Sequence, residues 1–106
     1  MKKLRIENMK AGWFVGNFEP TAFKSEDFEV CYKVHPKGEI WQKHMHKIGT
    51  EINLLIRGRM KMCNEELVAG DIFIVYPGEV ADPVFLEDCE VICIKSPSVP
   101  GDKYEV

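Results

Sequence analysis

Long apolar runs are missing from this chain, and no stretch approaches the roughly 20 apolar residues that a membrane-spanning helix needs. Charge of one sign is not concentrated anywhere. The net charge of −3 is spread over interspersed acids and bases, so no basic block or stripe is present to hold a nucleic-acid backbone. The start, Met1-Lys2-Lys3-Leu4-Arg5, runs into Glu7 and Lys10 without an apolar segment or a small-residue cleavage site. No signal peptide is read there, and a cytoplasmic protein is expected. Cysteine is sparse: Cys31, Cys63, Cys89 and Cys93 form no C-x-x-C pair and no zinc-finger spacing. They are expected as reduced, mostly buried thiols, with a Cys31–Cys93 or Cys63–Cys93 disulfide as the alternative. Helical periodicity is absent too, since nowhere do apolar residues keep a 3.6-residue repeat over about ten positions. No Ser-His-Asp set, phosphate-cradling glycine loop or glycosidase-like carboxylate pair is present. At 106 residues the chain is expected to form one domain, residues 1–106, around one modest core.

What is there is a series of short β-like runs separated by Gly, Pro, Asp and Asn. Phe28 to Val34 alternates, with Phe28, Val30, Tyr32 and Val34 on one face and Glu29, Cys31 and Lys33 on the other. Glu51 to Arg57 sets Ile52, Leu54 and Ile56 against Glu51, Asn53, Leu55 and Arg57. Gly58-Arg59 reads as a hairpin turn into Met60–Cys63, and Asn64-Glu65 as the next turn. Gly70-Asp71 opens Ile72–Tyr76, Pro77-Gly78 closes it, and Glu90–Lys95 is the last clear strand. Ser96 to Gly101, rich in proline, reads as coil. Many short strands at regular spacing predict a sandwich or closed barrel.

The chemistry concentrates between Gly38 and Gly58. Residues two apart on a strand share a face, so His44 and His46 project side by side. A turn at Ile48-Gly49-Thr50 returns the chain, and Glu51 opens the neighbouring strand toward the same space. Two imidazoles and one carboxylate from adjacent strands suit a borderline divalent metal. Gln42 shares the His44 face and Asn53 the Glu51 face, where each can bond a ligand or orient a ligating side chain. Tyr76 can reach the pocket mouth, and a core or interface role is the preferred reading. His35, before Pro36, reads as a surface residue in a turn, and Glu79 as a solvated loop charge. Trp13, Phe14, Phe18 and Phe23 read as core or dimer-contact aromatics.

Gly38, His44, His46, Glu51 and Gly58 resemble the first cupin motif, G-x5-H-x-H-x3,4-E-x6-G, at every signature position. Gly70 and Pro77-Gly78 resemble the second motif, G-x5-P-x-G-x2-H, with Tyr76 in place of its proline and Ala81 in place of its histidine. The resemblance implies an all-β fold, the double-stranded β-helix or jelly-roll cupin barrel, with the site between facing sheets. It implies a divalent metal (Fe, Mn, Ni or Zn) held by His44, His46 and Glu51, and one ligand missing at Ala81. Asp82 can substitute only if the backbone there is irregular, because strict alternation points it away. A small polar ligand, such as a sugar or sugar derivative, is implied, with isomerase, epimerase or oxygenase-type chemistry. The alternative is a non-catalytic binding or sensing module that works without a functional metal. Catalytic residues are not assigned. A homodimer that hides edge strands is expected.

Overall fold

The computed structural model covers residues 1–106 and is almost entirely β. After a short 3-10 turn at Ile6–Asn8, the strands are β1 (Trp13–Gly16), β2 (Phe23–Lys24), β3 (Glu29–His35), β4 (His44–Met45), β5 (Thr50–Arg57) and β6 (Arg59–Met62). Then follow β7 (Glu65–Val68), β8 (Ile72–Val75), β9 (Val84–Phe85), β10 (Cys89–Ser96) and β11 (Tyr104–Glu105). They form a six-stranded sheet in the order β2-β1-β3-β10-β5-β8, a three-stranded sheet β7-β6-β9 and a two-stranded ladder β11-β4. The expected barrel is therefore a pair of facing layers whose ladders do not close. β4, β9 and β11 are two residues long, too short to carry hydrogen bonding around the circumference.

Alternation along the long strands fixes the two faces of the large sheet. Glu29, Cys31 and His35 of β3, Asn53 and Leu55 of β5, and Cys89, Val91 and Cys93 of β10 are buried in the interior. Val34, Ile52, Leu54, Ile72 and Ile74 are exposed on the outside. The more apolar set of β3 and β5 thus faces out, and the mixed set faces in. At one end of the interior, Leu55, Met60, Leu67, Phe85, Cys89 and Val91 close into the hydrophobic core between the large sheet and β6, β7 and β9. At the other end the layers part and leave a cavity. No cysteine is bridged, although Cys31 and Cys93 stand directly opposite each other on β3 and β10. No helix is long and apolar enough to cross a membrane.

Two glycines show what the turn residues do. Gly58 is not a hairpin turn: β5 pairs with β10 and β8, and β6 with β7 and β9, so Gly58 is the corner where the chain changes sheets. Its φ is 97°, and a Cβ there would lie 2.3 Å from the Asp88 carbonyl oxygen, so only glycine fits. The β6–β7 hairpin instead turns at Cys63-Asn64, with φ of 51° and 65°. Gly38 has φ of 79° but open space where a Cβ would stand.

The segment after β10 is not loose coil. The Asp102 carboxylate accepts the amides of Lys47, Ile48 and Gly49 at 2.9, 3.1 and 2.8 Å. The Ser98 hydroxyl donates to Glu29 at 2.9 Å, and Tyr104 and Glu105 pair with β4. These bonds replace the ladder that Pro97 and Pro100 cannot make, and they lash the tail across the turn between β4 and β5.

Candidate metal centre

β4 and β5 bring His44, His46 and Glu51 to one end of the cavity, with one donor atom of each lying within 4.8 Å of the others. Both imidazoles are buried, at 6% and 4% exposure. Their orientation is set by main-chain acceptors. His44 Nδ1 donates to the Gln42 carbonyl at 3.1 Å, and His46 Nδ1 to the Asp102 carbonyl. With Nδ1 protonated in each ring, Nε2 carries the lone pair and is free to ligate.

His46 Nε2 lies 2.9 Å from Glu51 Oε2. In the neutral tautomer that contact sets two lone pairs against each other, so a proton or a cation must sit between them. Without a metal the proton serves. Its hydrogen bond to Glu51 raises the His46 pKa above the ordinary value, against the opposing effect of burial. Burial pushes the Glu51 carboxyl up, but the His46 bond and charge outweigh it and the net shift is downward. His44 has no such partner, and burial lowers its pKa, which keeps it neutral near pH 7. One histidine that gives up its proton readily, a second that holds one only against Glu51, and an ionised carboxylate make a fitting donor set for a divalent cation. The Cys31 thiol, burial and Glu51 hold the neighbouring Cys93 thiol protonated, well above its usual range.

The other residues singled out by the sequence divide. Asn53 is buried in the cavity wall one pleat along from Glu51, and its Nδ2 has no hydrogen-bond partner. Gln42 contributes its main-chain carbonyl to His44, while its side chain is exposed. Tyr76 is 55% exposed and does not line the cavity. Ala81 is 2% exposed, lines the cavity and exchanges main-chain hydrogen bonds with His44. The adjacent Asp82 accepts the Cys63 amide at 2.9 Å, which ties its carboxylate to the β6–β7 turn and away from the triad.

Several contributors were not legible beforehand. His35 is not a surface residue: it stacks on Phe85 with ring centroids 4.2 Å apart and lines the cavity. Its place in the set Glu29, Cys31, Lys33, His35 was the available signal. Trp13 and Phe18 line the cavity as well, whereas Phe23 is exposed. Lys10, Lys33, Lys95 and Lys103 also reach the cavity, which measures about 560 Å³.

No protein-family model and no curated protein matches the chain by sequence. Solved structures do match. A conserved protein with a double-stranded β-helix domain from Klebsiella pneumoniae superposes with a TM-score of 0.71 at 22% identity, covering 77% of this chain and 72% of that one. An RmlC-like cupin from Shewanella frigidimarina gives 0.63 at 20% identity, over 71% and 70%. Oxalate decarboxylase from Bacillus subtilis gives 0.66 at 17% identity over 77% of this chain, which spans 24% of that enzyme. Two facing sheets, with a His-x-His pair and a following glutamate opening into the space between them, place this chain in the cupin fold.

Proposed function

We propose that the protein is a divalent-metal cupin that acts on a small polar molecule held in the cavity, with isomerase, epimerase or oxygenase-type chemistry. The observation that carries this reading is the 2.9 Å approach of His46 Nε2 to Glu51 Oε2, in a ring whose other nitrogen is already committed as a donor. That contact, with His44 beside it, is the arrangement a cation resolves. A bound metal would supply Lewis acidity toward a carbonyl, carboxylate or hydroxyl oxygen. The residues do the rest: main-chain acceptors fix both rings, Glu51 balances charge, and aromatic side chains line the space beside them. The enzyme activity named for one structural neighbour, oxalate decarboxylase, is compatible with this use of the fold.

Ala81 favours a second reading. It gives no donor where the motif has a histidine, and Asp82 is engaged elsewhere. A three-residue site with weakened affinity fits a binding or sensing module. Metal content of protein purified without added metal, followed by turnover assays with Fe(II), Mn(II), Ni(II) and Zn(II), separates the two. Stoichiometric metal that is lost in His44→Ala and His46→Ala supports the metal reading. Equal, trace metal in all three proteins overturns it.

A further inference from the structure

Inside the cavity the charges do not balance locally. The acids are spoken for: Glu29 pairs with Lys95 at 2.9 Å and accepts Ser98, and Asp102 accepts three main-chain amides. Glu51 faces His46, and Glu19 pairs with Lys24 at 3.6 Å. Three lining lysines have no acid: half-buried Lys33, and the exposed Lys10 and Lys103. Lys33 Nζ stands 5.8 Å from the Trp13 ring centroid and 5.9 Å from that of Trp41, and Lys103 Nζ stands 4.7 Å from Trp41. Neither belongs to any ion pair of the chain. Buried Asn53, at 3% exposure, holds an Nδ2 donor with no acceptor. Such a buried, orphaned donor costs about 1–3 kcal/mol unless something accepts from it.

Unmatched donors lining one cavity call for an acceptor-rich, negatively charged occupant. Rings lining the same space call for one with an apolar or planar body. No glycine-rich nest or helix N-terminus is present for a phosphate. We propose that the cavity takes a small carboxylate, its anionic end held by Lys33 and Lys103 and a further oxygen by Asn53. This rests on reading the cavity as the ligand site, and it does not require the metal.

Matched pairs test it: galacturonate against galactose, malonate against malonamide, and benzoate against benzamide, each titrated calorimetrically into metal-free and metal-loaded protein. The expected result is a preference of at least about tenfold for the acid in one pair or more, already present without metal. In the double variant Lys33→Met/Lys103→Met the preference collapses toward unity. Asn53→Asp, nearly isosteric, weakens the acid and spares the neutral twin. No preference in any pair, an undiminished preference in the double variant, or tighter binding of galactose 6-phosphate than of galacturonate overturns the proposal. Loss of metal in His46→Ala tests the metal reading separately, so either can fail alone.

Discussion

Replacing Asp102 by alanine tests whether the tail is part of the site's scaffold. Its carboxylate accepts three consecutive main-chain amides, from Lys47, Ile48 and Gly49, and its carbonyl accepts His46 Nδ1. Hydrogen bonds to a charged acceptor contribute about 1.5–3 kcal/mol each when taken singly. The three share one oxygen pair and one turn, and water can recover some of the loss, so about 3 kcal/mol in all is expected. For a domain of this size, at about 4 °C per kcal/mol, melting should fall by about 12 °C. Asp102→Asn keeps one acceptor oxygen and should lose about half as much. Burial raises the Asp102 pKa, but the three amide bonds outweigh it and leave it below the ordinary aspartate value of 3.8. A depressed pKa means that its ionised contribution is complete above the unfolded value and is lost as pH falls through the folded one. The gap between wild type and Asp102→Ala should therefore be constant from about pH 5 to 8 and narrow below about pH 4. Circular-dichroism melting across that range is the assay. A drop of under about 3 °C at neutral pH, or a gap indifferent to acid, refutes the reasoning.

Further outcomes are expected. In metal-free protein the His46–Glu51 pair should stabilise most below pH 6.5, and its contribution should fade as pH rises through the raised His46 value, so melting should decline between about pH 6 and 8. Saturating divalent metal competes with that proton and should invert the trend; parallel curves with and without metal would contradict the site. Ala81→His, facing the cavity beside His44, should tighten metal binding at least about tenfold in chelator competition, and unchanged affinity would show that position 81 does not reach the metal. Gly58→Ala should cost about 3 kcal/mol and Gly38→Ala about 1 kcal/mol in urea titration, because both need positive φ but only Gly58 is crowded. Leu55→Ala, fully buried, should cost about 2–5 kcal/mol by the same measurement.

Much of the fold and part of the site follow from local pattern alone. Short alternating runs with Gly, Pro and Asn between them exclude long helices, and the period-2 geometry of a strand places His44 and His46 on one face whatever surrounds them. The spacing to Glu51 allows a return strand and little else. Alternation, however, separates two faces without saying which is inside. In β3 and β5 the more aliphatic set faces out, because the interior must accommodate a cavity rather than a solid core. Only the tertiary fold decided that His35, Lys33 and Lys103 share one space. Only it gave Asp102 its role, because a carboxylate recognises three amides 53 to 55 residues away by position in space, which no local pattern encodes. The same holds for Gly58: local sequence reads a turn, and whether the chain folds back on itself or passes to another sheet depends on what Asp88 and Cys89 place beside it.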